Sequence, residues 1–308
     1  MLTRNGIGLV NIHKEKGYTS HDVVNIVRKL TKTKAGHTGT LDPNATGVLP
    51  VCLGRATKIA DYVMNGDKEY VAQVIFGTAT DTQDATGNVI TTAPVLCDLS
   101  NVQAALTDFI GQITQTPPMY SAIKLDGKKL YEYARAGTDV SDKIKSRVVT
   151  IHDIEIASAD LPHEMTIRVS CSKGTYIRTL CADLGVALGG AAHMGDLVRT
   201  KSGGFAIEAA VTLAQLEELI AAGRIDDVLI PVETALAHLP RITIAANAAK
   251  WLANGNKIPL DSVSGLDAGE TLAAEYLAHD AAGVLAGIYA PASGDCLRPK
   301  VMLYTLPS

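Results

Sequence analysis

The sequence predicts an α+β protein with one large domain and a small β-rich domain at its C-terminal end. Its 308 residues, 47% hydrophobic and 19% charged, are enough for both. Strand-like and helix-like stretches follow one another without the regular βαβ rhythm of a doubly wound sheet. After Pro240 the pattern changes to weak alternation with several glycines. We therefore expect a mixed central sheet flanked by helices over residues 1–240 and a β-rich domain over residues 241–308.

Two periodicities predict the individual elements. Alternation of apolar residues predicts the strands 8–13, 48–53, 68–76, 148–156 and 165–171. Helical spacing predicts a helix capped by Thr19 or Ser20, then helices over 101–110, 128–136 and 179–188 and within 207–239. Gln115 to Lys124 contains two adjacent prolines, so it is predicted to be extended or irregular.

Composition excludes several classes of protein. The five cysteines form no Cys-x-x-Cys pair, which argues against both a zinc site and a disulfide framework. The start lacks the apolar stretch of a secretory signal, and no run approaches the roughly 18 apolar residues of a membrane span, so we expect a cytoplasmic protein without membrane contact. The net charge of −4 is unevenly distributed, since residues 206–308 are acidic while residues 1–80 and 120–205 are mildly basic.

The most unusual segment is the loop from Gly36 to Gly47, which holds three glycines, three threonines and one proline. This composition predicts a tight loop that presents one carboxylate, Asp42. A phosphate-binding P-loop is excluded because Gly47 is followed by Val48 rather than by Lys. A calcium loop starting at Asp42 is excluded because its twelfth position is Leu53 rather than Glu. From the residues alone, an Asp that caps a turn and a catalytic Asp both remain open.

Residues 36–58, GHTGTLDPNATGVLPVCLGRATK, closely resemble the signature of the TruB-type tRNA pseudouridine-55 synthases. Further blocks match in the family's order: KEY at 68–70 with FG at 76–77 and TDT at 80–82, PPMYSAIK at 117–124, CSKGTYIRTL at 171–180 and DLVRTKSG at 196–203. The resemblance covers about residues 5–205 and thins after residue 206. One departure is KEKG at 14–17, where the family often has Lys-Pro-x-Gly.

The resemblance implies four catalytic residues. Asp42 matches the essential aspartate, which acts as a nucleophile or as a base, and Arg178 matches the arginine that pairs with it. Tyr70 matches the residue that stacks on the flipped uracil. Tyr176 matches the second pocket tyrosine, placed to handle the proton that leaves C5.

The resemblance also implies residues that bind the RNA. His37 matches a residue that fills the space left by the flipped nucleotide, and Leu197 matches an apolar wall of the pocket. Lys14 and Lys124 are the basic candidates. A mobile insertion from Lys124 to about Ile154 is expected to close over the RNA through its basic residues, which are Lys124, Lys128, Lys129, Lys143, Lys145 and Arg147.

The implied fold is that of the pseudouridine synthases with a PUA-like C-terminal domain, and the implied substrate is the uridine at position 55 in the T-loop of tRNA. Isomerisation needs no cofactor or metal, in keeping with the absence of Rossmann, P-loop and metal-ligand spacing. We expect a monomer without an obligatory protein partner. Two alternatives stay open, an RNA chaperone and the catalytic subunit of a guide-RNA complex.

Overall fold

The computed structural model describes residues 7–96, 98–266 and 272–304. Its strands are β1 Gly8–Lys14, β2 Ala35–His37, β3 Thr46–Leu53, β4 Lys68–Phe76, β5 Thr78–Thr80, β6 Val89–Thr92, β7 Gly111–Gln115, β8 Lys124–Leu125, β9 Lys128–Lys129, β10 Arg147–Asp160, β11 Glu164–Cys171, β12 Ala192–Ser202, β13 Phe205–Ala206, β14 Leu229–Ile230, β15 Arg241–Ile244, β16 Ile258–Pro259, β17 Val263–Ser264, β18 Tyr276–His279, β19 Leu285–Ala292 and β20 Cys296–Met302.

Helices lie between these strands. The α-helices are α1 Ser20–Thr31, α2 Ala60–Met64, α3 Leu99–Thr107, α4 Leu130–Arg135, α5 Ile177–Ala187, α6 Leu213–Ala221, α7 Val232–Ala235 and α8 Ala249–Ala253. Short 3₁₀ helices are found at Gly54–Ile59, Ser141–Lys143, Ile207–Ala209, Ile225–Asp227, Ala246–Ala248 and Leu260–Ser262.

Among the described residues, ten strands form one large mixed sheet. Its order is β14-β1-β3-β12-β4-β11-β10-β7, with β2 paired to β3 and β13 paired to β12. All of these pairs are antiparallel except β3 with β12. The α+β prediction with a mixed central sheet is therefore confirmed.

Local sequence explains the elements that carry the site. Helix α1 begins where the Thr19 hydroxyl accepts from the Asp22 backbone N–H, a reciprocal capping box. It then buries Val23, Val24 and Val27 against β1 and β3. Strand β4 shows the predicted alternation, because Ala72, Val74 and Phe76 face the core on one side. Helix α5 packs on that same side of the sheet through Ile177, Leu180 and Leu184.

The predicted insertion has different limits from those expected. Residues 147–154 belong to β10, which pairs with β7 and β11 in the large sheet. Their β-branched residues reach the core at Val149 and Ile151, which ties this part of the chain to the sheet. The segment that leaves the sheet is residues 116–146, called the insertion below.

The insertion contains a hairpin of β8 and β9, helix α4 and a short 3₁₀ helix. The hairpin turns at Asp126 and Gly127, both with positive φ, as a two-residue Asp-Gly turn requires. Residues 128–129, predicted as the start of a helix, are therefore the second strand of this hairpin.

A second sheet of six strands follows within the described part of the C-terminal region, in the order β16-β20-β19-β18-β15-β17. It confirms the predicted β-rich C-terminal region. It shares a core with the large sheet, because Leu277, Ile288 and Leu303 belong to the same buried cluster as Leu9 and Val48. The division of the chain at residue 240 remains a prediction.

Candidate active site

The Asp42 loop (residues 38–45) connects β2 to β3 at the edge where β3 runs beside β12. Leu41 and Ala45 are buried on either side of Asp42, and they belong to the core cluster of β4 and β12. The Asp42 side chain is 38% exposed, so its carboxylate can be reached from solvent although its backbone is anchored.

Buried side chains hold the backbone of the loop in place. The Ser20 hydroxyl donates to the Leu41 carbonyl at 3.1 Å and accepts from the Leu41 N–H at 2.9 Å. Arg199 is buried under the loop and donates to three carbonyls, those of Val48 at 2.8 Å, Gly39 at 3.2 Å and Thr40 at 3.4 Å. Gly47 allows the close approach of β12, since a Cβ there would lie 2.2 Å from the Arg199 carbonyl oxygen.

Arg178 meets the Asp42 carboxylate from helix α5. Its Nη2 lies 2.7 Å from Asp42 Oδ2, and its side chain is only 6% exposed. On its other side, Nη1 lies 3.7 Å from Asp84 Oδ2. Asp84 is itself held by the hydroxyl groups of Thr82 and Thr86. The arginine is therefore fixed between two carboxylates, one of which is open to solvent.

The electrostatics of Asp42 balance burial against this ion pair. Enclosure by protein raises the pKa of Asp42 above its ordinary value, Arg178 opposes the shift, and Asp84 adds to it. Arg178 thus favours the ionised carboxylate, the form needed for a nucleophile or a base.

Tyr70 and Leu197 come from the adjacent strands β4 and β12, where Leu197 is paired with Ala72 and Arg199 with Tyr70. Both pack in the cluster that contains Leu41. Burial raises the pKa of Tyr70, with the Arg199 guanidinium opposing the shift, so the phenol stays neutral at physiological pH. A neutral aromatic ring beside an apolar wall suits stacking on a nucleobase.

Tyr176 immediately precedes helix α5, two residues before Arg178. The Gln115 side chain holds its backbone through two hydrogen bonds, one to the carbonyl at 3.2 Å and one from the N–H at 3.0 Å. The guanidinium carbons of Arg147 and Arg178 lie 4.8 Å and 5.9 Å from the centre of its ring. Tyr176 is thus brought to the same ion pair as Asp42.

His37 is the last residue of β2 and is half-buried at the start of the loop. Its Nδ1 accepts from the Gly39 N–H at 3.3 Å, and its ring meets that of His21 edge-on at 5.9 Å. Burial lowers the pKa of His37, which favours the neutral ring. A neutral ring at the rim is compatible with the predicted space-filling role.

The two predicted lysines lie in different surroundings. Lys14 is fully buried below the loop and donates to the Pro43 carbonyl at 3.0 Å, and burial lowers its pKa to about 8. This position argues against the predicted direct contact with RNA, because the ammonium group is occupied by the loop backbone. Lys124 is exposed on the hairpin of the insertion, where it is paired with Lys129.

Sequence reasoning missed Arg199, Asp84 and Gln115 as supports of the site. Arg199 stands two positions from Leu197 on the same strand, so it faces the same side as a pocket residue. That spacing is the signal that was available. Asp84 and Gln115 carry no comparable signal, because their contacts join segments that lie far apart in the chain.

No group of three or more His, Cys, Asp or Glu side chains able to hold a metal occurs in the described ranges. That the reaction uses no metal or cofactor remains a prediction. Within those same ranges, no helix is long and apolar enough to cross a membrane.

The fold and site together place a carboxylate, paired with a buried arginine, beside an aromatic and an apolar side chain, an arrangement that suits an enzyme acting on a nucleobase. Comparison with known proteins is consistent with this class. Residues 27–177 match the model for "TruB family pseudouridylate synthase (N terminal domain)", and residues 178–237 match that for "tRNA pseudouridylate synthase B C-terminal domain".

Similar proteins include the tRNA pseudouridine synthase B of Bacillus licheniformis, 49% identical over 80% of this chain and 82% of that protein. The enzyme of the same name from Bacillus pumilus is 42% identical over 94% of this chain and 91% of its own length. The chain therefore belongs to the TruB family of pseudouridylate synthases, as the sequence motifs predicted.

Solved structures extend the likeness over nearly the whole chain. One from a Cbf5-Nop10-Gar1 complex has a TM-score of 0.74 and 27% identity, covering 96% of this chain and 85% of that one. Another, from an H/ACA RNP bound to a substrate RNA containing 2'-deoxyuridine, has a TM-score of 0.72 and 24% identity, covering 97% and 85%. The likeness confirms the predicted pseudouridine-synthase fold with its PUA-like C-terminal region.

Proposed function

We propose that this enzyme isomerises one uridine of tRNA to pseudouridine, and that its target is the T-loop uridine at position 55. The curated relatives are named tRNA pseudouridine synthase B, and they match most of the chain. The observation that carries the proposal is the 2.7 Å contact between Arg178 and Asp42 beside Tyr70 and Leu197. This arrangement places a carboxylate, whose ionised form Arg178 favours, beside an aromatic and an apolar side chain.

The reaction breaks the bond between N1 of uracil and C1′ of ribose and forms a bond between C5 and C1′. A proton leaves C5 and one is taken up at N1, so no atom is gained or lost. The base must leave the stack to reach the pocket. Asp42 acts on the sugar or the base as a nucleophile, or removes a sugar proton, and both alternatives need the ionised form.

The other pocket residues have separate tasks. Tyr70 stacks on the extruded uracil, for which base–aromatic stacking is typically worth about 1–3 kcal/mol. Leu197 closes the apolar side of the pocket and excludes water. Tyr176, beside the same ion pair, is placed to handle the C5 proton, while His37 fills the gap left in the RNA.

The insertion supports an enzyme that grips tRNA by itself. Its hairpin sets Lys124 directly opposite Lys129, a pairing of like charges that is unfavourable without an anion nearby. Lys128 and Lys129 also lie over the rings of Tyr133 and Tyr131. We propose that this surface binds tRNA phosphates, and that the enzyme works as a cytoplasmic monomer without a guide RNA or protein partner.

The test compares wild type with Asp42→Asn on an unmodified tRNA transcript, mapping pseudouridine chemically and measuring affinity by filter binding. We expect conversion at position 55 by wild type. The variant should bind with similar affinity but convert at least about 10⁴-fold more slowly, a typical loss for a catalytic carboxylate. If both proteins bind and neither converts a uridine, the protein is an RNA chaperone and the proposal is wrong.

A further inference from the structure

The two ends of the insertion meet at the catalytic tyrosine. Gln115 ends β7 and Arg147 begins β10, and the two residues are paired in the sheet. Their neighbours Thr116 and Ser146 join through their hydroxyl groups at 2.8 Å. The Gln115 side chain hydrogen-bonds to the backbone of Tyr176, and the Arg147 guanidinium lies over the Tyr176 ring. A shift at the ends of the insertion that displaced Gln115 or Arg147 would therefore also displace Tyr176.

Arg147 differs from the other basic residues of this region. Its Nε and Nη2 atoms are buried and have no hydrogen-bond partner among the described residues. The exposed lysines of the insertion reach solvent instead. Burying guanidinium N–H groups without an acceptor is unfavourable. Such unpaired donors are expected where a bound ligand supplies the missing acceptor.

The two free donors belong to one edge of the guanidinium. Nε and Nη2 point in parallel and match two oxygens of a phosphate, a geometry that Lys cannot reproduce. The third nitrogen, Nη1, lies near Gly174: a Cβ added to that glycine would be 3.4 Å from Nη1. The guanidinium plane is thus held by the Tyr176 ring on one side, with its bidentate edge left unpaired.

We propose that Arg147 binds a phosphate next to the flipped uridine through Nε and Nη2, and that this contact holds the ring of Tyr176 in its working position. The inference rests on the proposed function and makes Arg147 a positioning residue for that reaction. Nε and Nη2 are covered in this structure. The proposal therefore requires that the insertion residues next to Arg147 move aside when the insertion closes on the RNA. Binding of the RNA strand and placement of the tyrosine are then one event.

The first experiment measures affinity with a T-arm stem–loop RNA in which a methylphosphonate replaces one phosphate at a time around the target uridine. We expect one replacement to weaken binding by wild type about tenfold, as the loss of a charge-assisted contact does. The same replacement should have little further effect on Arg147→Met. If every replacement weakens wild type and Arg147→Met equally, Arg147 binds no phosphate and the proposal is wrong.

The second experiment measures single-turnover conversion of the unmodified stem–loop at saturating enzyme. Arg147→Met should convert at least about tenfold more slowly. Arg147→Lys should recover part of the affinity but not the rate, since a lysine restores the charge without the bidentate edge or the planar group beside the Tyr176 ring. If the conversion rate of Arg147→Lys recovers to the same extent as its affinity, Arg147 does not position Tyr176 and that part of the proposal is wrong.

Arg224→Met is the matched control, because Arg224 is an exposed arginine outside the insertion that pairs with Asp227 and belongs to no surface proposed to bind RNA. It should keep the wild-type conversion rate, and a rate as low as that of Arg147→Met would contradict the proposal. Thermal melts of each variant identify misfolding. The binding experiment does not depend on conversion, so failure of wild type to convert the RNA would refute the proposed function separately.

Discussion

The Asp42 loop and the insertion are both irregular segments, but they are held in opposite ways. The loop is short, and its backbone is held by three buried side chains, Ser20, Lys14 and Arg199. The insertion is longer, and most of its residues are at least partly exposed. The difference shows how one chain serves two needs. Under the proposed function, the reactive carboxylate is fixed before the RNA arrives, and the more exposed insertion makes the contacts with the RNA backbone.

The contrast extends to how charge is used. The cations below the loop donate to backbone carbonyls and are buried, whereas the cations of the insertion point outward. Buried donors fix geometry, and exposed ones attract phosphate from a distance. Changes below the loop should therefore alter rate or stability, and changes in the insertion should alter affinity.

Among the variants that test this contrast, Arg178→Met should have the largest effect, because it removes the partner of Asp42. The conversion rate should fall about 10²–10³-fold, as for loss of a preorganised electrostatic group. Arg178 lowers the pKa of Asp42, so its removal raises that pKa further and moves the acid limb of the rate profile to higher pH. Single-turnover rates between pH 5 and 8 test this, with Arg178→Lys as the variant that keeps the charge. If the acid limb of the rate profile does not shift, ionisation of Asp42 does not determine it.

Arg199→Met should come next, because it removes the donor from two loop carbonyls, Gly39 and Thr40, and from the Val48 carbonyl of β3. The free energy of unfolding should fall by about 3 kcal/mol, measured by urea denaturation, and the conversion rate should fall as well. The control is Arg168→Met, an exposed arginine of β11 whose ion pairs should contribute less than about 1 kcal/mol. Equal losses in both variants would show that the loop is not held from below.

Gly47→Ala tests the close contact between β3 and β12. The new Cβ would overlap the Arg199 carbonyl, and Gly47 also has a φ of +102°. A loss of about 2 kcal/mol in the free energy of unfolding is expected. Gly77→Ala separates the two causes, since Gly77 has a φ of +93° but no atom within 4 Å of the added Cβ. If both variants lose the same amount, backbone strain rather than crowding explains the effect.

The smallest effect is expected for Lys124→Ala in the insertion. Its affinity for tRNA should fall a few-fold, and the slope of log affinity against log salt should decrease by about 0.7–0.9, one phosphate contact. The single-turnover rate should be unchanged. Lys250→Ala, an exposed lysine of helix α8, is the control. A lower rate at saturating enzyme would place Lys124 with the catalytic residues instead.

Most of the fold could be predicted because its patterns are local. The alternation of β4 and the cap of α1 are visible in a few consecutive residues, and both were predicted correctly. The hairpin at Asp126 and Gly127 was missed although its turn signal is present, because the lysines that follow also suit a helix. The end of the insertion was predicted near Ile154, whereas β10 already begins at Arg147. The sequence does not show where this strand joins the sheet.

The site was predictable only as far as motifs reach. Asp42 and Arg178 come together as the resemblance implied. The burial of Lys14 was not foreseen, because lysines usually lie at the surface and nothing nearby in the chain indicates otherwise. Asp84 and Gln115 act through contacts between distant segments, which a single sequence does not reveal.

The core shared by the two sheets limits how far the C-terminal sheet can vary independently of the catalytic strands. Leu277 and Ile288 pack against the back of β1 and β3, and Lys58 donates to the Met302 carbonyl at 2.9 Å. The C-terminal sheet thus braces the strand into which the Asp42 loop runs. Replacing this sheet alone would leave mismatched apolar residues in the shared core, so substitutions on its inner face should be tolerated only with matching changes in β1 and β3.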